Sequence, residues 1–295
     1  MTRPVHLVVG ADGLVGNALV RRLRNAGESV VATTRRSAKV TDDCVYLDLT
    51  EDDGNWKSRF PISTATICAA ITKAQACKDD PAYTAKVNVQ GISSLIGNLV
   101  AAGAFVIFLS TNQVFDGERP FQLPNAPLSA VTEYGRQKAE VEHRLGQYGD
   151  SVAIVRFAKI LGPHASLIPG WVQTLRAGKI IHPFTDMTMA PVPLSCAVTV
   201  LTLIGRLRLY GIIQVSGQED ITYAEAAHFG AEALGVDPQL IQPVKAAEQG
   251  AYTEPIPTYT TLNVDRLMET TGILPPSVHW TIRTAFATPD LLAGV

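Results

Sequence analysis

Three glycines in Gly10-Ala11-Asp12-Gly13-Leu14-Val15-Gly16, set between a strand-like and a helix-like run, constrain this chain more than any other feature. Upstream, Val5-His6-Leu7-Val8-Val9 is short, apolar and rich in β-branched residues, the pattern of a buried strand. Downstream, Leu14, Val15, Ala18, Leu19 and Leu23 recur with helical spacing until Asn25-Ala26-Gly27 closes the segment. A second strand pattern follows at Ser29-Val30-Val31-Ala32. Strand, glycine turn, helix and strand in this order open a dinucleotide-binding βαβ unit. Gly10 permits the tight turn, Gly13 lets the backbone approach a pyrophosphate, and Gly16 lets helix and strand pack closely. The helix N-terminus adds backbone N–H donors and partial positive charge. The alternative is a glycine turn that binds nothing.

The end of the second strand reports on the dinucleotide. An acidic residue about 20 positions beyond the first glycine would bind the ribose hydroxyls of NAD. Thr33-Thr34-Arg35-Arg36 stands there instead. A threonine hydroxyl can donate to a 2′-phosphate, and a guanidinium matches its charge and geometry. NADP(H) is therefore favoured, and NAD(H) stays open because Arg35 and Arg36 can also be read as solvated loop charges. Asp48, after Val45 and Leu47, falls where a third strand ends and can accept from an adenine amino group; surface placement is its alternative.

Tyr134 and Lys138, four positions apart in Tyr134-Gly135-Arg136-Gln137-Lys138, lie on one face of a helix. An ammonium beside a phenol favours the phenolate and lowers the tyrosine pKa from its usual ~10. That allows proton exchange near neutral pH. The wholly apolar Ala104-Phe105-Val106-Ile107-Phe108-Leu109 reads as a central strand, with Ser110 and Thr111 at its carboxyl end, where ligands of open α/β sheets bind. The alternative for both hydroxyls is satisfaction of backbone groups at a strand end.

With 295 residues, 46% of them hydrophobic and 18% charged, the chain suits a large α/β core plus a smaller lobe. Strands are expected near 5–9, 29–33, 44–47, 65–69, 104–109 and 151–155, with helices near 14–26, 81–102, 132–147 and 194–208. A late strand near 211–215 returns to the same sheet. Residues 1–160, joined by 194–216, make the dinucleotide-binding part, and 161–295 mainly a substrate lobe with proline-rich, irregular patterning. A net charge of -2 without a basic run argues against a nucleic-acid partner. Four cysteines and six histidines show no metal-ligand spacing, so no metal is expected, and Cys44 and Cys68, in or beside apolar strands, read as packing residues. The uncharged stretch Met187–Gly205 contains Pro191 and Pro193 and falls short of the ~20 apolar residues of a membrane span. The N-terminus does not resemble a signal peptide, which fits a reduced, cytoplasmic setting.

Further motifs follow in order: Asp48-Leu49, Asn88-Val89-Gln90-Gly91, Leu109 to Gly117, Tyr134 to Lys138, Arg156 to Pro163, and Tyr210 to Gly217. Together with Gly10–Gly16 they resemble the extended short-chain dehydrogenase/reductase family, and within it the dTDP-4-dehydrorhamnose reductase-like branch. The resemblance implies a doubly wound parallel Rossmann sheet and an NADP(H)-dependent oxidoreductase that reduces a keto group of a nucleotide-linked sugar. Tyr134 would give the proton, Lys138 would bind the nicotinamide ribose, and Thr111 would hold the substrate carbonyl. Cofactor contacts are implied for Gly10, Asp12, Gly13, Leu14, Val15, Gly16, Thr34, Arg35, Arg36, Asp48, Leu49, Ala69, Ala70, Tyr134, Lys138 and Phe157. Arg156-Phe157-Ala158 would line the nicotinamide pocket. Thr111, Asn112, Gln113 and Lys159 are implied as substrate contacts, and a homodimer is compatible with the branch.

The chain also departs from its relatives. Asn112-Gln113 replaces an Asp-Tyr pair, Lys159 replaces a tryptophan, and Ala190 to Cys196 lacks the usual paired aspartates. Lys159 either meets a negative group on the substrate or turns out to solvent. Two other readings stand beside the reductase: a nucleotide-sugar epimerase or dehydratase with bound NAD, and a non-catalytic regulatory subunit of the same fold.

Overall fold

The computed structural model describes residues 5–51, 56–163, 167–249 and 254–288. Its strands are β1 (Val5–Val9), β2 (Ser29–Thr34), β3 (Cys44–Tyr46), β4 (Ile62–Ile67), β5 (Phe105–Thr111), β6 (Val152–Phe157), β7 (Ile160–Leu161), β8 (Thr188–Met189), β9 (Val192–Pro193), β10 (Gly211–Val215) and β11 (Ile221–Thr222). Its helices are α1 (Leu14–Asn25), α2 (Ala74–Asp79), α3 (Pro81–Ala85), α4 (Ile92–Ala101), α5 (Glu133–Leu145), α6 (Leu167–Arg176), α7 (Leu194–Leu207), α8 (Tyr223–Leu234), α9 (Asp265–Thr271) and α10 (Val278–Ala287).

Seven strands form one sheet in the order β10-β6-β5-β4-β1-β2-β3. β1 pairs in parallel with both β2 and β4, so the strand order reverses beside it. That reversal is the switch point at which open α/β sheets bind ligands. Every residue of β1 is buried, including His6, because helices cover both faces of a parallel sheet. His6 hydrogen-bonds Thr66 at 2.8 Å, and burial pushes its pKa down to about 4. The late strand β10 joins the sheet beside β6, as its sequence pattern implies.

The expected helix over 81–102 is interrupted. A π-helical turn, Lys86–Gly91, separates α3 from α4. A Cβ on Gly91 would stand 2.2 Å from the Leu49 carbonyl, so the chain presses on the loop after β3 there. Within the turn, Asn88 accepts from Ile71 N at 2.8 Å and donates to Ile71 O at 2.9 Å. π-bulges of this kind recur at functional sites.

The chain divides into two compact units. One comprises Met1–Val114, Leu128–Arg156 and Val198–Ile213; the other comprises Phe115–Pro127, Phe157–Ala197 and Gln214–Val295. Residues 115–127, expected in the first part, cluster with the second. Backbone bonds tie them there: Tyr259 N to Gly117 O at 2.9 Å and Asn263 N to Gln122 O at 3.1 Å. The second unit is more regular than its sequence suggests, with α6, α8, α9 and α10. α8 opens on a capping box in which Thr222 Oγ1 accepts from Glu225 N and the Glu225 carboxylate accepts from Thr222 N. α6, α8 and α10 share an apolar core that includes Ile168, Ala227, Ile282 and Phe286. Among the described residues, no helix is long and apolar enough to cross a membrane.

Candidate active site

At the end of β1 the chain turns at Gly10, whose φ is +84°. A Cβ there would stand 2.7 Å from the Ala69 backbone, so both conformation and space require glycine. A Cβ on Gly16 would lie 2.3 Å from Gly10 O, which explains how closely α1 approaches the turn. Gly13 is the N-cap of α1; no side chain caps the helix and its first turn holds no acid. Its unsatisfied N–H groups are therefore available to an anion. A cavity of about 530 Å³ opens at the carboxyl ends of β1 to β4. Gly10, Asp12, Gly13, Thr34, Arg35, Arg36, Asp48, Leu49, Ala69 and Ala70 all line it. Glycine cradle, bare helix start and cationic rim together fit a nicotinamide dinucleotide. Leu14, Val15 and Gly16 form the first turn of α1 behind Gly13.

The rim of this cavity carries opposed charges. Thr33 Oγ1 accepts from Gly10 N at 3.0 Å, which fixes the turn to β2. Thr34 donates its hydroxyl to Asp12 Oδ2 at 2.6 Å, and Lys39 donates to Asp12 Oδ1 at 2.8 Å. Arg36 Nε stands 4.0 Å from the same carboxylate. The hydrogen bonds from Lys39 and Thr34 hold the Asp12 carboxyl below its usual range. Burial opposes ionisation of Asp48, yet two bonds from Thr50, each 2.8 Å, and the nearby Arg35 and Lys86 hold its pKa down.

The second group of residues stands on β5 and α5. Thr132 N-caps α5 through Gly135 N at 3.0 Å and also donates to Gln113 Oε1 at 3.2 Å. A Cβ on Gly135 would lie 2.1 Å from Gln113 O, so the first turn of α5 rests on the turn that follows Thr111. Thr111, Tyr134 and Lys138 are all buried. Lys138 Nζ donates to Leu109 O at 2.7 Å, lies 4.4 Å from the centre of the Phe108 ring and 5.9 Å from that of Tyr134. Burial pushes the Lys138 pKa down to about 8, against the opposing pull of Glu142.

A model of the RmlD substrate binding domain family matches residues 5–289. The chain belongs to this family. It is 30% identical to a probable low-salt glycan biosynthesis reductase, Agl14, of Haloferax volcanii, over 80% of this chain and 82% of that protein. It is 29% identical to a dTDP-4-keto-6-deoxy-D-glucose reductase of Streptomyces niveus, over 97% of each chain. In fold it is similar to the crystal structure of dTDP-4-dehydrorhamnose reductase from Bacillus anthracis in complex with NADP. The TM-score is 0.85 at 18% identity, covering 97% of this chain and 99% of that one.

Three details of the site differ from expectation. The tyrosine pKa is not lowered: burial, which disfavours the charged phenolate, pushes the Tyr134 phenol up. The Thr34 hydroxyl is directed at Asp12 instead of lying free for a phosphate. Arg156 does not follow β6 into a pocket. It lies within the strand, 1% exposed, and its guanidinium holds Glu142 through bonds of 2.6, 3.0 and 3.1 Å.

Ser110 donates to the same Glu142 carboxylate at 2.5 Å, so β5, α5 and β6 meet at one buried acid. Glu142 escaped the sequence reading although it stands one further turn along the Tyr134–Lys138 face, a spacing that could have revealed it. Gln137 was missed too; it accepts from Asn88 at 2.8 Å and donates to Thr84 at 2.9 Å, tying α5 to the π-helical turn. Lys39, which holds the cavity residue Asp12, completes the missed set.

Thr111 Oγ1 accepts from Gln113 N at 3.2 Å and lies 3.4 Å from Asn112 Oδ1. Phe157, the buried last residue of β6, and Lys159 belong to the second unit. Lys159 is exposed, yet desolvation by the surrounding protein lowers its pKa. It has no side-chain partner among the described residues.

Proposed function

We propose that this protein is an NADP(H)-dependent reductase that converts a keto group on a nucleotide-linked sugar to an alcohol. The observation that carries the reading is the buried Tyr134–Lys138 pair on α5, with Lys138 bonded to Leu109 of β5, in a chain whose near full-length relatives are named as reductases. The cofactor assignment draws on the arginines of the cavity rim and on the NADP held by the structurally similar Bacillus anthracis enzyme.

Bound NADPH supplies a hydride to the carbonyl carbon. Tyr134 donates its proton to the carbonyl oxygen; its raised pKa keeps the phenol protonated, and therefore a donor, at neutral pH. Lys138, with two N–H bonds left after Leu109, holds ribose hydroxyls and stabilises the anion left on the tyrosine. Thr111 orients the carbonyl. Asn112 and Gln113 would face the sugar, and in the second unit Lys159 would meet an anionic group of the substrate. The second unit supplies the substrate lobe. Incubation with NADPH and a panel of 4-keto nucleotide sugars, followed by loss of NADPH absorbance, tests the reading. Turnover of at least one is expected; none, from protein that purifies with tightly bound NAD, would instead favour an epimerase or dehydratase.

A further inference from the structure

In an NAD-binding βαβ unit, the carboxylate that accepts the ribose 2′-hydroxyl comes from the end of the second strand. Here β2 ends at Thr34, and a carboxylate arrives from the glycine turn instead. Asp12 Oδ2 lies 2.6 Å from Thr34 Oγ1, so the acid occupies the neighbourhood of the missing strand-end carboxylate. Both residues line the cavity, and the Asp12 side chain keeps 27% of its surface exposed, open to a ligand.

The charges around Asp12 pull in two directions. Lys39 holds one carboxylate oxygen at 2.8 Å, Arg36 stands 4.0 Å from the other, and Arg35 lies on the same cavity wall. Two cations, Lys39 and Arg36, therefore act on Asp12, while Arg35 acts on Asp48, the second acid of the cavity. A 2′-phosphate gains the cations but must approach a fixed carboxylate, and both the Thr34 proton and the Lys39 ammonium are already directed at that carboxylate. A free 2′-hydroxyl meets the same carboxylate as an acceptor and gains little from the cations.

Resting on the reading of this cavity as a nicotinamide dinucleotide site, we propose that Asp12 is a specificity-determining residue for the cofactor. Its carboxylate accepts the 2′-hydroxyl of NAD(H) and opposes the 2′-phosphate of NADP(H), while Lys39, with Arg35 and Arg36, acts in the opposite sense. The site takes both dinucleotides, and the excess of cations tilts it toward NADP(H).

Fluorescence titration of wild type, Asp12→Asn and Lys39→Met with NADPH and NADH tests this. Asparagine keeps the shape and can still accept from Thr34; the charge is lost, and with it the oxygen that accepts from Lys39. The ratio of NADPH to NADH affinity should rise roughly tenfold in Asp12→Asn, the effect of one charge-assisted contact, and fall severalfold in Lys39→Met. Melting curves that match wild type show that the variants are folded. A ratio unchanged or lowered in Asp12→Asn, or one that does not fall in Lys39→Met, overturns the inference while the dinucleotide site stands. Wild-type protein that binds neither cofactor overturns the site itself and the inference with it.

Discussion

Glu142 with Arg156 and Asp12 with Lys39 are acid–base pairs of nearly equal length, 2.6 and 2.8 Å, in the same unit of the protein. Their surroundings differ. The side chains of the first pair are 3% and 2% exposed; those of the second are 27% and 52% exposed. In the dry interior each charge has lost its water and must be met by protein groups, Glu142 by Arg156 and Ser110, so the pair behaves as a fixed joint between α5 and β6. At the wet rim water can replace either partner, so the pair can be reopened by a ligand. Like chemistry thus serves rigidity in one place and adjustable recognition in the other.

The largest effect expected from breaking this contrast is on the buried pair. Glu142→Ala leaves a guanidinium uncompensated in the sheet and should cost about 3–5 kcal/mol of stability, measured by urea unfolding. A loss under about 1 kcal/mol would mean that water reaches Arg156 and that the two pairs are alike after all.

Next comes Tyr134→Phe, which should lower kcat by at least ~10²-fold while NADPH affinity, measured by titration, changes little. Near-normal turnover would remove Tyr134 from the chemistry. The pH profile sharpens the same point. Lys138 loses its proton as pH rises through about 8, so the cation that supports the tyrosine anion is present below that value and lost above it. kcat should therefore decline above about pH 8, and a profile flat to much higher pH would show that Lys138 stays charged.

A smaller effect is expected at Lys159. Lys159→Met should raise the substrate KM roughly tenfold with NADPH binding unchanged, the loss of one charge-assisted contact. Unchanged kinetics would assign the ammonium to solvent. The smallest effect completes the comparison: Lys39→Met should shift stability by no more than about 1 kcal/mol in thermal unfolding, because its exposed ion pair is already shared with water.

Much of the fold was legible because it depends on near neighbours in the chain. The apolar run of β1, the glycine turn and the periodicity of α1 are local patterns, and each translates directly into backbone conformation and a buried face. The helices of the second unit were less legible. The capping box at Thr222 and Glu225 was present in the sequence, but the proline-rich patterning around it obscured the signal.

By itself, then, the sequence determined the βαβ opening, the central strand at 105–111, and the shared helix face of Tyr134 and Lys138, since all rest on conformational preference and side-chain spacing. Only the tertiary structure decided the charges. Asp12 meets Thr34 across 22 positions and Ser110 meets Glu142 across 32, so neither contact follows from local spacing. The upward shift of Tyr134 and the downward shift of Lys138 have the same origin. Each is set by burial, a property of the whole packed unit that no short stretch of sequence contains.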